Sequence, residues 1–208
     1  MTAEQPPAAG GDGARARVVT ALNKLAIAMR TDAQERSRGH GLHPAQAQLL
    51  SLLAARPADG LRLGELASEL GVTAATASDS VAALERKGFV RRTRSAMDAR
   101  VVRVSLTDDG RRAAASLAEW PDVMLQALGD LDPDECAALL RMLIKMIRSL
   151  QERGAISPAR MCVTCTYFDP YAHPGTDRPH HCNFVDAPFG DAELRVDCVD
   201  HVPASSTS

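Results

Sequence analysis

The sequence predicts a mainly α fold with a small β-wing, to which a small irregular module carrying four cysteines is appended. Three observations predict it. The stretch from Leu61 to Leu106 reads as helix, turn, helix and two-stranded ribbon; amphipathic segments of helical length flank it on both sides; and beyond residue 160 cysteine, proline and aromatic residues replace the aliphatic pattern. The implied organisation is a disordered N-terminus over 1–13, a helical domain with its ribbon over 14–153, a linker over 154–160, the cysteine module over 161–203 and a flexible tail over 204–208.

Composition narrows the class. A chain of 208 residues suits one ordinary domain plus a smaller appendage. Apolar residues make up 45% but aromatics only 3%, so the core must be built mainly from Leu, Val, Ala and Met. No apolar run approaches the ~20 residues of a membrane span, and the N-terminus lacks the basic and apolar regions of a secretory signal. A cytoplasmic location is expected, with no membrane partner. Five cysteines in a reducing compartment more often bind metal than pair as disulfides.

Residues 1–13, rich in Pro, Gly and Ala, cannot bury enough apolar surface to order themselves. Val18, Leu22, Leu25 and Met29 then recur at helical spacing, predicting a helix from Arg15 to about Ser37. Gly39 to His43 break it. Pro44 suits the first turn of the next helix, where its missing N–H costs nothing, and Ala47, Leu49, Leu50, Leu52 and Leu53 make that helix largely buried until Pro57. Residues 57–60 read as a loop.

In the central stretch, Leu63, Leu66, Ala67 and Leu70 form a short helix that Gly71 stops, since glycine accepts the left-handed backbone of a tight exit. Thr73 is the expected N-cap of a second helix, whose Ala77, Val81 and Leu84 face inward while Ala75, Thr76, Ser78 and Asp79 stay small or polar outside. Such a face can enter a groove. Gly88 ends this helix, Phe89-Val90 opens a basic strand through Arg91, Arg92, Thr93 and Arg94, and Val101 to Leu106 returns, with 95–99 as the tip. Val102, Val104 and Leu106 alternate with Val101, Arg103 and Ser105, the period of a half-buried strand. Between Glu85 and Arg103 seven Lys or Arg stand against two acids in a chain of net charge -2, which points to a polyanion.

After the ribbon, Thr107 can cap a helix through Leu117 that is interrupted near Pro121, and Asp132-Pro133 restarts one. There Cys136, Leu139, Leu140, Leu143, Ile147 and Leu150 form a stripe that Met142 and Met146 widen, more apolar surface than one small domain needs. The surplus is read as a dimer contact. Cys136 lies on that stripe and is expected to be a buried structural thiol.

Three strings together resemble the MarR family of bacterial winged helix-turn-helix repressors. They are Leu84-Glu85-Arg86-Lys87-Gly88-Phe89-Val90 followed by Arg92, Asp98-Ala99-Arg100, and Leu106-Thr107-Asp108-Asp109-Gly110-Arg111; the resemblance covers about residues 14–153. It implies a winged helix with a helical dimerisation region, a homodimer whose first and last helices interlock, and transcriptional repression at a pseudo-palindromic double-stranded DNA operator. The candidate DNA-contacting residues are Thr73, Ala75, Thr76 and Ser78 on the recognition helix, while Arg91, Arg92 and Arg94 are read as contacting phosphates or pairing with acids. Arg100 would read the minor groove, held by Asp98. No Arg, Asn or Gln lies within 74–80 to grip a base edge bidentately, so specificity is expected to come partly from DNA shape.

Cys162 and Cys165 form a Cys-x-x-Cys pair, followed after sixteen residues by Cys182 and after fifteen more by Cys198. Prolines at 170, 174, 179, 188 and 203 forbid long helices, and so short a segment cannot hold itself on an aliphatic core. A metal would supply that stability, four thiolates being a complete ligand shell. One Cys-x-x-Cys pair and two isolated cysteines, with Tyr167-Phe168 and Phe184 beside them, resemble the pattern of high-potential iron-sulfur proteins, which implies a four-iron, four-sulfur cluster screened by aromatics. Zinc on the same cysteines is the alternative. His180 and His181 precede Cys182 and are read as orienting the loop around the ligands, a role as direct ligand being the competing one; His173 and His201 are read as surface residues.

No Ser-His-Asp arrangement, phosphate loop or paired carboxylate is recognisable, and Cys-x-x-Cys lacks the βαβ surroundings of a thioredoxin-like site. The chain reads as a regulator, not an enzyme, with DNA affinity set by the cluster as a redox or iron sensor. The alternatives are a structural zinc site with a small organic effector bound elsewhere, and a tail serving as a protein-docking or electron-transfer module.

Overall fold

A computed structural model describes residues 11–94, 101–118 and 123–204, the side chains from Gly13 onward. Helix α1 (Gly11–Gly39) begins one turn before the position that its apolar spacing predicts, inside the segment expected to be disordered. Extending an existing helix costs far less than nucleating one, so Gly and Ala beyond the patterned region can join it. Helix α2 (Pro44–Ala54) follows with Pro at its first turn and buries Leu49, Leu50 and Leu53.

A two-residue strand, β1 (Leu61–Arg62), precedes α3 (Leu63–Leu70), where the sequence pattern shows no strand. Two residues are too few to show alternation, and what makes them a strand is pairing with a distant segment. Gly60 lets the chain approach that segment at φ 77°, where a Cβ would lie 2.0 Å from the Val104 carbonyl oxygen. Gly71, at φ 64°, turns α3 into α4 (Ala74–Arg86). Strands β2 (Val90–Arg94) and β3 (Val102–Leu106) complete an antiparallel sheet of order β1-β3-β2, with Arg92 opposite Val104 and Leu61 opposite the other edge of Val104.

Because β3 is central, its burial departs from simple alternation. Val102, near the ribbon tip, is 42% exposed, whereas Ser105 is 3% exposed, covered where the sheet meets the helices. Leu49, Leu50 and Leu53 of α2, Leu66 of α3, Val81 and Leu84 of α4, and Val104 and Leu106 of β3 form one core. Helix α5 (Asp108–Ala118) closes it with Ala114 and Leu117; Thr107 caps it, accepting from the Gly110 N–H at 3.0 Å while donating to the Gly88 carbonyl at 2.6 Å.

Helix α6 (Val123–Leu128) and the long α7 (Pro133–Glu152) follow. A reciprocal cap starts α7: Asp132 accepts from the Glu135 N–H at 2.9 Å and Glu135 from the Asp132 N–H at 3.0 Å. Its apolar surface divides into two faces. Leu140, Ile144 and Ile147 pack under the C-terminal module, while Met142, Met146 and Leu150 stay exposed. Part of the surplus ascribed to a dimer contact therefore serves this module.

The module is more regular than its prolines suggest. Strands β4 (Phe168–Asp169), β5 (His180–Cys182) and β6 (Ala187–Phe189) form a second antiparallel sheet, with Phe168 opposite Cys182 and Cys182 opposite Ala187. Pro188 sits in an edge strand, where its missing donor is tolerated. Met161 and Leu194 meet Ile144 to make a small apolar centre, so the module takes part of its core from α7. No helix among the described residues is long and apolar enough to cross a membrane.

Candidate functional site

The first candidate surface is built on α4. Thr73 lies in extended backbone and its hydroxyl accepts from the Thr76 N–H at 3.1 Å, satisfying one of the free donors that any helix start leaves. With Ala77, Val81 and Leu84 locked into the core, helical geometry turns Ala75 and Thr76 fully outward and leaves Ser78 half-exposed. The Thr76 hydroxyl is 2.9 Å from that of Thr73, so the two share a hydrogen bond at the rim of the helix.

The sheet brings a row of cations to the same lobe. Arg91, Arg92 and Arg94 are exposed along β2, and Arg92 approaches Glu85 of α4 at 3.7 Å. Arg103, on the neighbouring strand, turns back into the lobe, donating to the Gly60 carbonyl at 2.7 Å and facing Asp59 at 3.3 Å. Asp98 and Arg100 lie outside the described residues. Lys87 also has a structural task, donating to the Gly41 carbonyl at 2.7 Å and to Gln46 at 3.2 Å.

The second candidate site is a cavity of about 190 Å³ in the C-terminal module. All four cysteines, Cys162, Cys165, Cys182 and Cys198, line it, brought together from a 3-10 turn (Cys162–Thr164), its exit, β5 and the final loop. Tyr167, Phe168, Phe184 and Phe189 supply aromatic wall, with the rings of Tyr167 and Phe184 tilted against each other at 5.3 Å between centroids. Arg195 serves two of the sulfurs, its backbone N–H reaching Cys162 Sγ at 3.3 Å and its guanidinium Cys198 Sγ at 3.7 Å. Burial pushes the Cys162 thiol above its ordinary pKa, against the pull of the Arg195 N–H.

The space between the sulfurs decides what it can hold. Among the described residues no group of three or more His, Cys, Asp or Glu converges closely enough to share a single metal ion.

Neither His180 nor His181 lines the cavity. His180, 3% exposed, accepts at Nδ1 from the Tyr171 N–H at 3.4 Å, which leaves Nε2 protonated to donate to Asp191 at 3.1 Å. His181 is held between His173 at 3.1 Å and Asp186 at 3.2 Å. Read from sequence as surface residues, His173 and His201 are half-buried and bonded, His201 to the Thr164 hydroxyl at 3.0 Å. Cys136 lies apart on α7, half-buried, with its sulfur 3.9 Å from the Leu128 carbonyl.

Three helices, a capped outward helix and a basic two-stranded wing define the winged helix-turn-helix class. Residues 40–112 match the MarR family. Two curated relatives, both from Bacillus subtilis strain 168, are similar to it. The uncharacterized HTH-type transcriptional regulator YdgJ is 31% identical over 107 residues, 51% of this chain and 64% of its own; the uncharacterized HTH-type transcriptional regulator YwaE is 32% identical over 91 residues, 43% and 53%. The chain thus spans between half and two thirds of the length of these relatives. Among solved structures, Staphylococcus aureus MepR in its DNA-binding conformation is 27% identical with a TM-score of 0.58, covering 64% of this chain and 98% of MepR. The MepR–DNA complex gives 27% and 0.57, with 64% and 97% covered. The matched family segment ends 50 residues before Cys162.

Proposed function

We propose that the protein is a homodimeric transcriptional regulator of the MarR type, a repressor that sets α4 into the major groove of a pseudo-palindromic operator while the wing arginines follow the phosphates. The observation that carries this is the capped α4 with Thr76 turned outward, in the same lobe as a β2 strand along which Arg91 and Arg94 are exposed. Its likeness to MepR in complex with DNA supports the same reading. The exposed Val18, Leu25 and Met29 of α1 and Met142, Met146 and Leu150 of α7 are the apolar surface for a second copy.

The same reading gives the four-cysteine cavity an iron-sulfur cluster, of the four-iron type, with Cys162, Cys165, Cys182 and Cys198 as ligands. Such a group supplies one-electron chemistry and sensitivity to iron supply. The thiolates would bind it, Tyr167, Phe168 and Phe184 would screen it, and Arg195 would donate to the ligand sulfurs of Cys162 and Cys198.

Fluorescence anisotropy with genomic operator fragments tests DNA binding; an affinity independent of sequence across all fragments would overturn it. Absorbance, iron and sulfide analysis of protein purified without oxygen tests the cluster. Visible charge-transfer bands with about four irons per chain are expected. Colourless protein with about one zinc per chain would make the module structural.

A further inference from the structure

Arg56 stands just beyond α2, and its side chain is only 4% exposed. On one side its guanidinium binds Glu69 of α3; on the other it donates to Asp197 at 2.8 Å. Burial by itself would lower its pKa, yet the two carboxylates hold it above the ordinary value. Asp197 in turn accepts from Arg160 at 2.8 and 2.9 Å, and the next residue, Cys198, donates its N–H to the Arg160 carbonyl at 2.8 Å. The loop that delivers Cys198 to the cavity is therefore tied through one residue to the first helix of the helix-turn-helix. Ser157 adds a second tie, donating to the Ser68 carbonyl at 3.0 Å.

The module's other side rests on α7, through Ile144 against Met161 and Leu194 and through Arg141 to Asp191 at 2.5 Å. It spans two elements whose relative angle fixes where α4 is presented: α7, which the dimer reading places at the two-fold interface, and the α2–α3 corner. Taking the cluster reading as its basis, we infer that Arg56 and Asp197 form a latch by which the seating of Cys198 sets the angle of α3 and α4 against α7, and with it DNA affinity. A shift of the Cys198 loop must either carry Arg56 along or leave a buried guanidinium with Glu69 alone. A buried charge that loses a partner is costly, so the corner moves with the loop. Two packed arrangements, one for each seating, are the two states that coupling between sites requires.

The test compares the full-length native protein with Asp197→Asn, which keeps the shape but removes the charge facing Arg56, and with Arg160→Gln, which leaves the Arg56–Asp197 bond in place. Operator affinity is measured by anisotropy on iron-loaded and chelator-stripped samples of equal starting iron content. The native protein and Arg160→Gln should change affinity about tenfold on stripping, within the 5–150-fold typical of coupled sites, and Asp197→Asn less than about twofold. A full response in Asp197→Asn, or an equal loss in Arg160→Gln, overturns the latch while leaving the cluster reading intact.

An iron-loaded native protein with no response overturns the sensor reading instead. A metal-independent arm then decides the latch: hydrogen exchange of α3 and α4 amides in Cys198→Ser, made in the native and the Asp197→Asn backgrounds. The latch requires Cys198→Ser to speed exchange in the native background and to add little in the other. Equal effects in both, or none in either, overturn it.

Discussion

Arg141 of α7 and His180 of the C-terminal module grip opposite oxygens of one carboxylate, that of Asp191, at 2.5 and 3.1 Å. Burial raises the Asp191 pKa, but the His180 and Arg141 hydrogen bonds outweigh it and hold the carboxyl below its ordinary value. A depressed carboxylate stabilises the docked form fully above the unfolded value, about 3.9, and the contribution is lost as pH falls through the lower folded value. Acidification from pH 6 to pH 3 should therefore lower the protection factors of β5 and β6 amides, taken relative to the intrinsic exchange rate at each pH, before those of α2 and α4. In Asp191→Asn the acid step should shrink, with faster exchange already at neutral pH. Protection that falls equally in both lobes of the native protein would refute it.

Ile144 places the apolar part of the same docking. At 5% exposure it meets Met161 and Leu194, and truncation of a buried isoleucine costs about 2–5 kcal/mol. Ile144→Ala should expose 155–204 to limited proteolysis, while the melting of the winged-helix lobe, whose core lies elsewhere, stays within a few degrees of native. A melting transition lowered as a single unit would mean that the two cores are one cooperative body.

How much of this was legible in the sequence follows the range of the forces involved. The α4 cap at Thr73, the left-handed Gly71 and the Asp132–Glu135 box are contacts within three or four residues, and the residue types alone point to them. Strand β1 was not legible, because Leu61 and Arg62 are extended only by pairing with Val104 and Arg103 some forty residues away. The spacing of the four cysteines suggested that they gather, and all four line one cavity. Nothing in the spacing said that Ile144, which falls outside the stripe read along α7, would form the floor of their module, or that Asp197 would reach Arg56. His173 and His201 looked like surface residues because their partners, His181 and Thr164, come from other turns of a fold without long-range pattern.

The wing arginines separate by their partners. Arg91 and Arg94 are exposed along β2, whereas Arg92 lies near Glu85 at 3.7 Å and would have to give up that interaction to meet a phosphate. Arg91→Ala and Arg94→Ala should each reduce the slope of log affinity against log salt by about one for every phosphate left unneutralised, with similar weakening on every operator sequence. Arg92→Ala should reduce it by less. Unchanged slopes in the first two would remove β2 from the DNA interface.

Gly110 is fixed by a different constraint. At the start of α5 a Cβ would lie 1.8 Å from the Phe89 carbonyl oxygen, a backbone atom that cannot turn aside. Gly110→Ala should force α5 away from the start of the ribbon, costing about 1–3 kcal/mol as overpacking generally does. A denaturant midpoint at or above the native one would show that the helix has room to slide.

Arg195 supplies the last prediction. Its backbone N–H and guanidinium reach two of the sulfurs that line the cavity, Cys162 and Cys198, and the Cys198 sulfur in turn holds the guanidinium above its ordinary pKa. Donors to ligand sulfurs stabilise the more negative state of a cluster and so raise its reduction potential. On the cluster reading proposed above, Arg195→Gln, which keeps the backbone donor but removes the cation, should lower the potential and quicken iron loss under oxygen, with iron content after anaerobic purification unchanged. Arg195→Lys should restore part of the shift, since a point charge replaces the planar fork. A potential that moves equally in Arg178→Gln, whose guanidinium also lines the cavity but binds Glu193 at 3.1 Å, would assign the effect to general charge and not to the bond at Cys198.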